Sequence, residues 1–212
     1  NWGTLPRIYS LDSDLEKSEY LKAYGLTYLK EEVWSEQLIK KLDAFRAFLP
    51  VAAQANGEIL NYSNISRDVG VDDNTIKSYF QILEDTLLGF FLEPYHKSVR
   101  KRQVKSPRFY LFDTGVKKAL QKTLTSQILP NTYAYGKAFE HFVIAEFFRL
   151  NDYFRKECSF YFLTTKDGAE IDLVVEGPGS KTTLVEIKST RKVDDRDTKV
   201  LESFSDAFKK SD

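Results

Sequence analysis

Acidic residues recur at alternate positions in the stretch from Ala169 to Thr190, between the apolar residues of two β-like runs. A Gly-Pro-Gly turn separates the runs, which predicts a β-hairpin. If the turn is centred near Gly179, Asp172 lies opposite Glu186. Directly opposed Cβ atoms are about 5 Å apart, so two like charges there are destabilising unless a cation lies between them. That cation is either a metal ion or Lys188.

Carboxylates at this separation offer the hard oxygen ligands that Mg²⁺ or Mn²⁺ takes. A third acid comes from a predicted amphipathic helix at Tyr135–Leu150. On a helical wheel, Glu140 borders the apolar stripe of this helix, where an acid reaches the edge of the core. Glu140, Asp172 and Glu186 are therefore candidate metal ligands.

Each of these residues also has a plain structural explanation. Glu140 alone is typical of a solvated helix acid, and Glu170 with Lys188 is typical of a cross-strand salt bridge. The chemical interpretation depends on finding all the residues together, in the order helix Glu, strand Asp and strand Glu-x-Lys.

That order resembles the core signature of the PD-(D/E)xK nucleases, and the resemblance covers 132–212. It implies a restriction-endonuclease-like α/β (α+β) domain. Glu140, Asp172 and Glu186 would bind Mg²⁺ or Mn²⁺, and Lys188 would complete the catalytic set by positioning the attacking water or neutralising the phosphate. The family fold continues with a further strand, so we expect this domain to be truncated at its C-terminus.

The composition sets outer limits on the function. The 212 residues are 42% hydrophobic and 29% charged, which is typical of a globular chain with one or two domains. The formal net charge is zero, so binding to nucleic acid requires local basic patches. A single cysteine, Cys158, excludes an internal disulfide and favours a cytoplasmic location. No apolar run approaches about 18 residues, so no membrane partner is expected.

Three helices followed by two β runs are predicted within 34–131, a pattern typical of a winged helix. The first helix is expected to end at Pro50, and the second to begin at an N-cap Ser63. The third helix is expected to begin at Asp72 or Asp73. The alternative is a small helical domain whose hairpin serves only internal contacts. The β runs are Leu88–Leu92 and Phe109–Phe112.

The segment 1–33 has the character of a helical junction, with a Gly3-Thr-Leu-Pro6 turn followed by an amphipathic helix. Together with Tyr20-Leu-x-x-Tyr24, this segment resembles the junction that follows the nucleotide-binding domain in prokaryotic AAA-type ATPases of unassigned function. The C-terminal regions of those proteins carry a winged helix and a PD-(D/E)xK-like domain. The sequence contains no methionine and no phosphate-binding P-loop, so we expect ATP to be bound only by a missing N-terminal domain.

Six cations and no acid occur from His96 to Arg108, between the two predicted β runs and in the position of a wing. Such a run is often a solvated loop, but in a wing it favours contact with DNA phosphates. The predicted nucleic-acid-binding residues are Lys97, Arg100, Lys101, Arg102, Lys105 and Arg108.

Two functional hypotheses follow. The first is a DNA-binding, nuclease-like C-terminal region of an AAA-type ATPase with a Mg²⁺-dependent phosphodiesterase centre. The second is a catalytically inactive module that keeps the nuclease fold for protein interaction, self-association or regulation of its own ATPase domain. A hydrolase triad is not supported, because the histidines His96 and His141 have no nucleophile nearby in the sequence.

Replacing Arg100, Lys101, Arg102 and Lys105 by alanine tests the DNA hypothesis. If these residues bind phosphates, the variant should bind duplexes of any sequence more weakly. The slope of log affinity against log salt should flatten by about 0.9 for each phosphate that is no longer neutralised. An unchanged slope would assign the loop to solvent or to a protein partner.

Overall fold

A computed structural model describes residues 2–25, 42–96, 105–165, 168–179 and 182–190, with 192, 194–195, 198–199 and 201–204. The protein is mixed α/β. It divides into two compact units, of which the first comprises 1–91 with 108–128 and the second comprises 92–107 with 129–212. The predicted boundary at residues 33 and 34 lies outside the described residues.

The first unit is mainly helical. A short 3-10 helix, Pro6–Ser10, precedes its α-helices. The helices are α1 (Asp14–Ala23), α2 (Leu42–Gln54), α3 (Tyr62–Val69), α4 (Asp73–Asp85) and α5 (Thr114–Leu120). The beginning of strand β1 (Gly89–Pro94) pairs with β2 (Arg108–Leu111). The Phe112 N–H donates to the Leu88 carbonyl, so the end of β2 meets the start of β1 and the pair is antiparallel.

Capping side chains define the ends of α3 and α4. Asp72 is the N-cap of α4, as one of the two predicted alternatives. Ser63 is not the N-cap of α3, because Asn61 caps it and the helix begins earlier than predicted. The Ser63 hydroxyl instead donates to Asp73 at 2.5 Å, which joins the two helices. Gly70 ends α3 in the left-handed region at φ 78°, a conformation that glycine adopts at little cost.

Helix α2 does not end at Pro50, contrary to the sequence prediction. Pro50 lies inside the helix, which continues to Gln54. An internal proline removes one hydrogen-bond donor and costs about 3 kcal/mol. Leu49, Ala52 and Ala53 are all almost fully buried, so burial of the apolar face offsets that cost.

Aromatic residues form the centre of the first unit's core. The Phe80 ring meets Phe48 edge-on with centroids 4.8 Å apart, and Phe109 with centroids 4.9 Å apart. All three side chains are fully buried. Helices α2 and α4 and strand β2 are therefore held around one aromatic cluster.

Asp113 ties the N-terminal segment to α5. Its carboxylate accepts hydrogen bonds from the backbone N–H groups of Thr4, Gly115 and Val116 at 2.6, 2.8 and 2.9 Å. The side chain is 1% exposed. A Cβ on Gly3 would clash with the carboxylate, so only glycine permits this close approach.

The second unit combines helix α6 (Tyr133–Phe154) with strands β3 (Ser159–Thr164), β4 (Glu170–Glu176) and β5 (Thr182–Val185). The end of β1 runs parallel to β3, with Glu93 paired to Tyr161. Strands β3 and β4 are antiparallel, and so are β4 and β5. Residues 198–199 and 201–204 are helical, and 205–212 lie outside the described residues.

The register of the predicted hairpin is confirmed. Leu173 pairs with Val185 and Val174 with Leu184, as a turn centred near Gly179 requires. Gly179 has φ +80°. Strand β5 ends at Val185, so Glu186 lies one residue beyond the paired strand. Ladder pairing alone therefore does not place Glu186.

Within the described residues, no helix combines the length and the apolar character needed to cross a bilayer.

Replacing Asp113 by alanine should strongly destabilise the first unit. Several buried N–H groups would be left without an acceptor, and we expect the free energy of unfolding to fall by about 3 kcal/mol. Asp72→Ala is the matched control, because it removes an exposed N-cap with fewer buried partners. Denaturant unfolding at neutral pH measures both variants. Equal losses in the two variants would contradict the structural role of Asp113.

Candidate functional site

The four predicted catalytic residues come from three neighbouring parts of the second unit. Glu140 lies in the first half of α6, and Asp172 lies in the middle of β4. Glu186 and Lys188 lie in the segment that directly follows β5. The charges of Glu140, Glu186 and Lys188 all act on the Asp172 carboxylate.

A hydrogen bond from the backbone of this segment holds it against β4. The Ile187 N–H donates to Asp172 Oδ2 at 2.7 Å. The bond fixes the residues on either side of Ile187 beside the Asp172 carboxylate. The contact between β4 and this segment thereby continues beyond Val185, where the strand pairing ends.

Glu186 is nearly buried but only partly paired. Its side chain is 12% exposed, and Oε1 accepts from the Lys188 ammonium at 2.5 Å. The second oxygen, Oε2, is buried and has no hydrogen-bond partner among the described residues. A buried carboxylate oxygen without a donor is costly, and its presence is typical of a site for a cation or a water molecule.

Helix α6 supplies the third acid together with a lysine. Glu140 is 8% exposed, and its Oε2 lies 3.4 Å from the Lys137 ammonium. A Cβ on Gly136 would lie 3.8 Å from the Ser189 hydroxyl, so the start of α6 borders the segment that carries Lys188. Lys137 is a residue that sequence reasoning missed. Its position one helical turn before Glu140 was the available signal.

The electrostatics of the site centre on Asp172. Burial, together with the nearby charges of Glu186 and Glu140, raises the pKa of Asp172 from 3.8 to about 6. The Ile187 N–H and the Lys188 ammonium act in the opposite direction without compensating. Like charges therefore crowd a carboxylate that is only partly solvated.

The donor chemistry fits a divalent cation. If all groups are ionised, three carboxylates and the two ammonium groups of Lys137 and Lys188 leave one negative charge. Carboxylate oxygens are the ligands that Mg²⁺ and Mn²⁺ prefer, and one of them is the buried Glu186 oxygen that has no donor within the described ranges. Across the described ranges, no group of three or more His, Cys, Asp or Glu side chains is already arranged to hold a metal ion. Binding therefore requires the Lys188 ammonium to move away from Glu186.

The predicted basic loop is only partly described. Lys97, Arg100, Lys101 and Arg102 lie outside the described residues. Lys105 is exposed. Arg108, predicted as a phosphate contact of the basic loop, begins β2 and is 3% exposed. Its backbone forms an antiparallel bridge with Ile59.

Two ionised acids stand at the beginning of α4. Hydrogen bonds from Thr75 lower the pKa of Asp72, and hydrogen bonds from Ser63 and Ser66 lower the pKa of Asp73. Both acids therefore carry charge at neutral pH. Their charges oppose phosphate binding at the end of the helix that a helix-turn-helix protein would bring to DNA.

Models of two protein families match parts of the chain. The domain of unknown function DUF8612 matches residues 1–127, and the domain of unknown function DUF4143 matches residues 135–212. Uncharacterised protein Rv2008c of Mycobacterium tuberculosis and uncharacterised protein Mb2031c of Mycobacterium bovis are each 26% identical over 179 residues. That alignment covers 84% of this chain and 39% of each relative, so the chain spans about two fifths of their length. No solved structure matches the chain significantly.

Asp172→Asn should stabilise the metal-free protein, and more at high pH than at low pH. The unfolded Asp172 carboxyl titrates near 3.8 and the folded one at about 6, so the native state holds this proton more tightly. In the parent, the stability that protonated Asp172 contributes is fully present below about pH 4 and is lost as the pH rises through about 6. Asparagine can still accept the Ile187 N–H and carries no charge. We expect the free energy of unfolding of Asp172→Asn to exceed the parent's by about 2 kcal/mol more at pH 8 than at pH 4.

Denaturant midpoints at the two pH values, in buffer containing a chelator, measure this difference. Asp43→Asn is the control, because the Asp43 side chain is 96% exposed. A variant that is less stable than the parent at both pH values would show that the negative charge of Asp172 stabilises the fold.

Proposed function

The chain belongs to the DUF8612 family of domains of unknown function, and we propose that it is the DNA-binding, nuclease-like C-terminal region of an AAA-type ATPase. In this proposal the second unit is a PD-(D/E)xK-like domain that hydrolyses phosphodiester bonds with Mg²⁺ or Mn²⁺. The first unit is its winged-helix-like companion. The match to DUF4143, which occurs in C-terminal regions associated with AAA-type ATPases, supports the link to an ATPase.

One observation carries the proposal. The Asp172 carboxylate, whose pKa is raised to about 6 by burial and by two neighbouring carboxylates, lies beside a buried Glu186 oxygen that has no donor among the described residues. Crowded acids of this kind destabilise a protein in the absence of a cation. Perturbed groups that converge in one place are typical of functional sites.

Each residue has a distinct role in the proposed reaction. Asp172 and Glu186 would bind the cation from the hairpin, and Glu140 would complete the ligand set from α6. When bound, Mg²⁺ would polarise the phosphate and activate a water molecule. The Ile187 N–H holds Asp172 in one orientation. Lys188, once displaced from Glu186, would donate to a phosphate oxygen on which charge develops.

DNA would be bound away from the first turn of α4, whose ionised Asp72 and Asp73 repel phosphate. The basic residues Lys97, Arg100, Lys101, Arg102 and Lys105 are the proposed phosphate contacts. Such contacts give affinity with little sequence preference.

The second candidate function is a catalytically inactive module for protein interaction or for regulation of the ATPase. The contact between the Lys188 ammonium and Glu186 at 2.5 Å favours it, because a lysine then supplies the positive charge that a metal would supply. In this case Lys188 is a charge-balancing residue. The same change, Lys188→Ala, separates the two candidates.

In the catalytic case Lys188→Ala should retain Mn²⁺ binding and lose cleavage. Removing a competitor for Glu186 leaves the metal ligands in place, so Mn²⁺ should still raise the melting temperature. Plasmid cleavage in Mn²⁺ should fall at least about 100-fold, the typical cost of one group that stabilises the transition state. Asp172→Asn should lose both properties, and Lys156→Ala, which alters an exposed lysine of the same unit, should lose neither.

A parent that cleaves nothing in any divalent metal and does not respond to Mn²⁺ would contradict the nuclease proposal. If Lys188→Ala then loses stability chiefly at pH 8, where Asp172 is ionised, the charge-balancing role is supported instead.

A further inference from the structure

An exposed tyrosine stands at the start of α6, on the same helix as the acidic site. Tyr133 is the first residue of the helix and is 78% exposed. The Lys137 ammonium lies 5.9 Å from the centre of its ring, within range of a cation–π contact. The same ammonium lies 3.4 Å from Glu140. One cation therefore connects a solvent-facing ring to a carboxylate of the proposed metal site.

The spacing explains how this connection forms. Tyr133, Lys137 and Glu140 are separated by four and three residues, so they share one face of the helix. Exposure falls along this face from the Tyr133 ring to Glu140, which is 8% exposed. This face of α6 therefore extends from solvent at Tyr133 to the buried acid Glu140.

The charge around Tyr133 favours an anion. The first turn of α6 contains no acidic residue. The N-terminal end of a 22-residue helix carries a partial positive charge, and Lys137 adds a full one. An ammonium group has three N–H donors, so Lys137 can bind a phosphate oxygen while it stays beside Glu140.

We propose that Tyr133 and Lys137 form a subsite for one unstacked nucleotide of a nucleic-acid strand. The Tyr133 ring stacks on the base, and the Lys137 ammonium binds the adjacent phosphate. This inference rests on the proposed function for the nature of the substrate, but the subsite itself needs no metal.

The proposal narrows the substrate class. A base inside a duplex is covered on both faces by its neighbours and offers no free face to the Tyr133 ring. A single strand, a frayed end or an extruded nucleotide does offer one. The acidic site would therefore act next to unpaired nucleotides, since Lys137 touches both the subsite and Glu140.

Binding of a fluorescein-labelled oligothymidylate to the 212-residue chain tests the subsite, in buffer containing a chelator. Tyr133→Ala should weaken binding about tenfold or more, whereas Tyr133→Phe should bind as the parent does. Lys137→Gln should reduce the slope of log affinity against log salt by about 0.7, the value for one phosphate contact on a single strand. Affinity for a blunt duplex should change much less in Tyr133→Ala.

Tyr153→Ala is the matched control. Tyr153 is 80% exposed on the same helix, but it lies twenty residues further on, or about 30 Å along the helix axis. This variant should bind the oligonucleotide as the parent does. Melting temperatures of both alanine variants should stay close to the parent's, because each ring is exposed.

The outcomes separate this inference from the proposed function. If the parent binds Mn²⁺ and cleaves DNA but Tyr133→Ala binds the oligonucleotide unchanged, the subsite is wrong and the nuclease proposal stands. If Tyr133→Ala alone loses binding while Mn²⁺ has no effect on the parent, the subsite stands and the metal chemistry is wrong. A parent that does not bind the oligonucleotide overturns the subsite and favours a protein partner for this face.

Discussion

The hydrogen bond from the Ile187 N–H to the Asp172 carboxylate is the constraint on which the second unit's site depends. It continues the contact between two chain segments after the β5 ladder has ended at Val185. The segment it holds brings Glu186 and Lys188 beside Asp172. Apolar side chains at these positions would cost less free energy to bury, because partly desolvated charges disfavour the folded state.

The site therefore pairs two of its three acids with lysines and keeps a net negative charge when all groups are ionised. Lys188 lies on Glu186, and Lys137 lies on Glu140, while the Asp172 carboxylate accepts a hydrogen bond from the Ile187 backbone. Burial, together with the charges of Glu186 and Glu140, raises the Asp172 pKa to about 6. A divalent cation would relieve the repulsion, so cation binding and stability are coupled in the proposed function.

The local parts of this arrangement were predictable from sequence, and the tertiary parts were not. The hairpin register followed from alternation and from the turn at Gly179, because a one-residue slip would reverse every side chain. Helical periodicity placed Glu140 at the edge of the core, where it is buried. Helix α2 passes through Pro50, and Arg108 is buried in β2, because contacts distant in sequence decide both. Lys137 was missed although its position one helical turn before Glu140 signalled the ion pair.

A crystal structure of the protein grown in Mn²⁺, with data collected at the manganese absorption edge, tests the central claim most directly. We expect an anomalous peak between the carboxylates of Asp172 and Glu186, bound by the Glu186 oxygen that has no donor in the described part of the chain. The Lys188 ammonium should be displaced from Glu186. No peak at this position, with Lys188 still bound to Glu186, would contradict a metal site and make the lysine the permanent counter-ion of these acids.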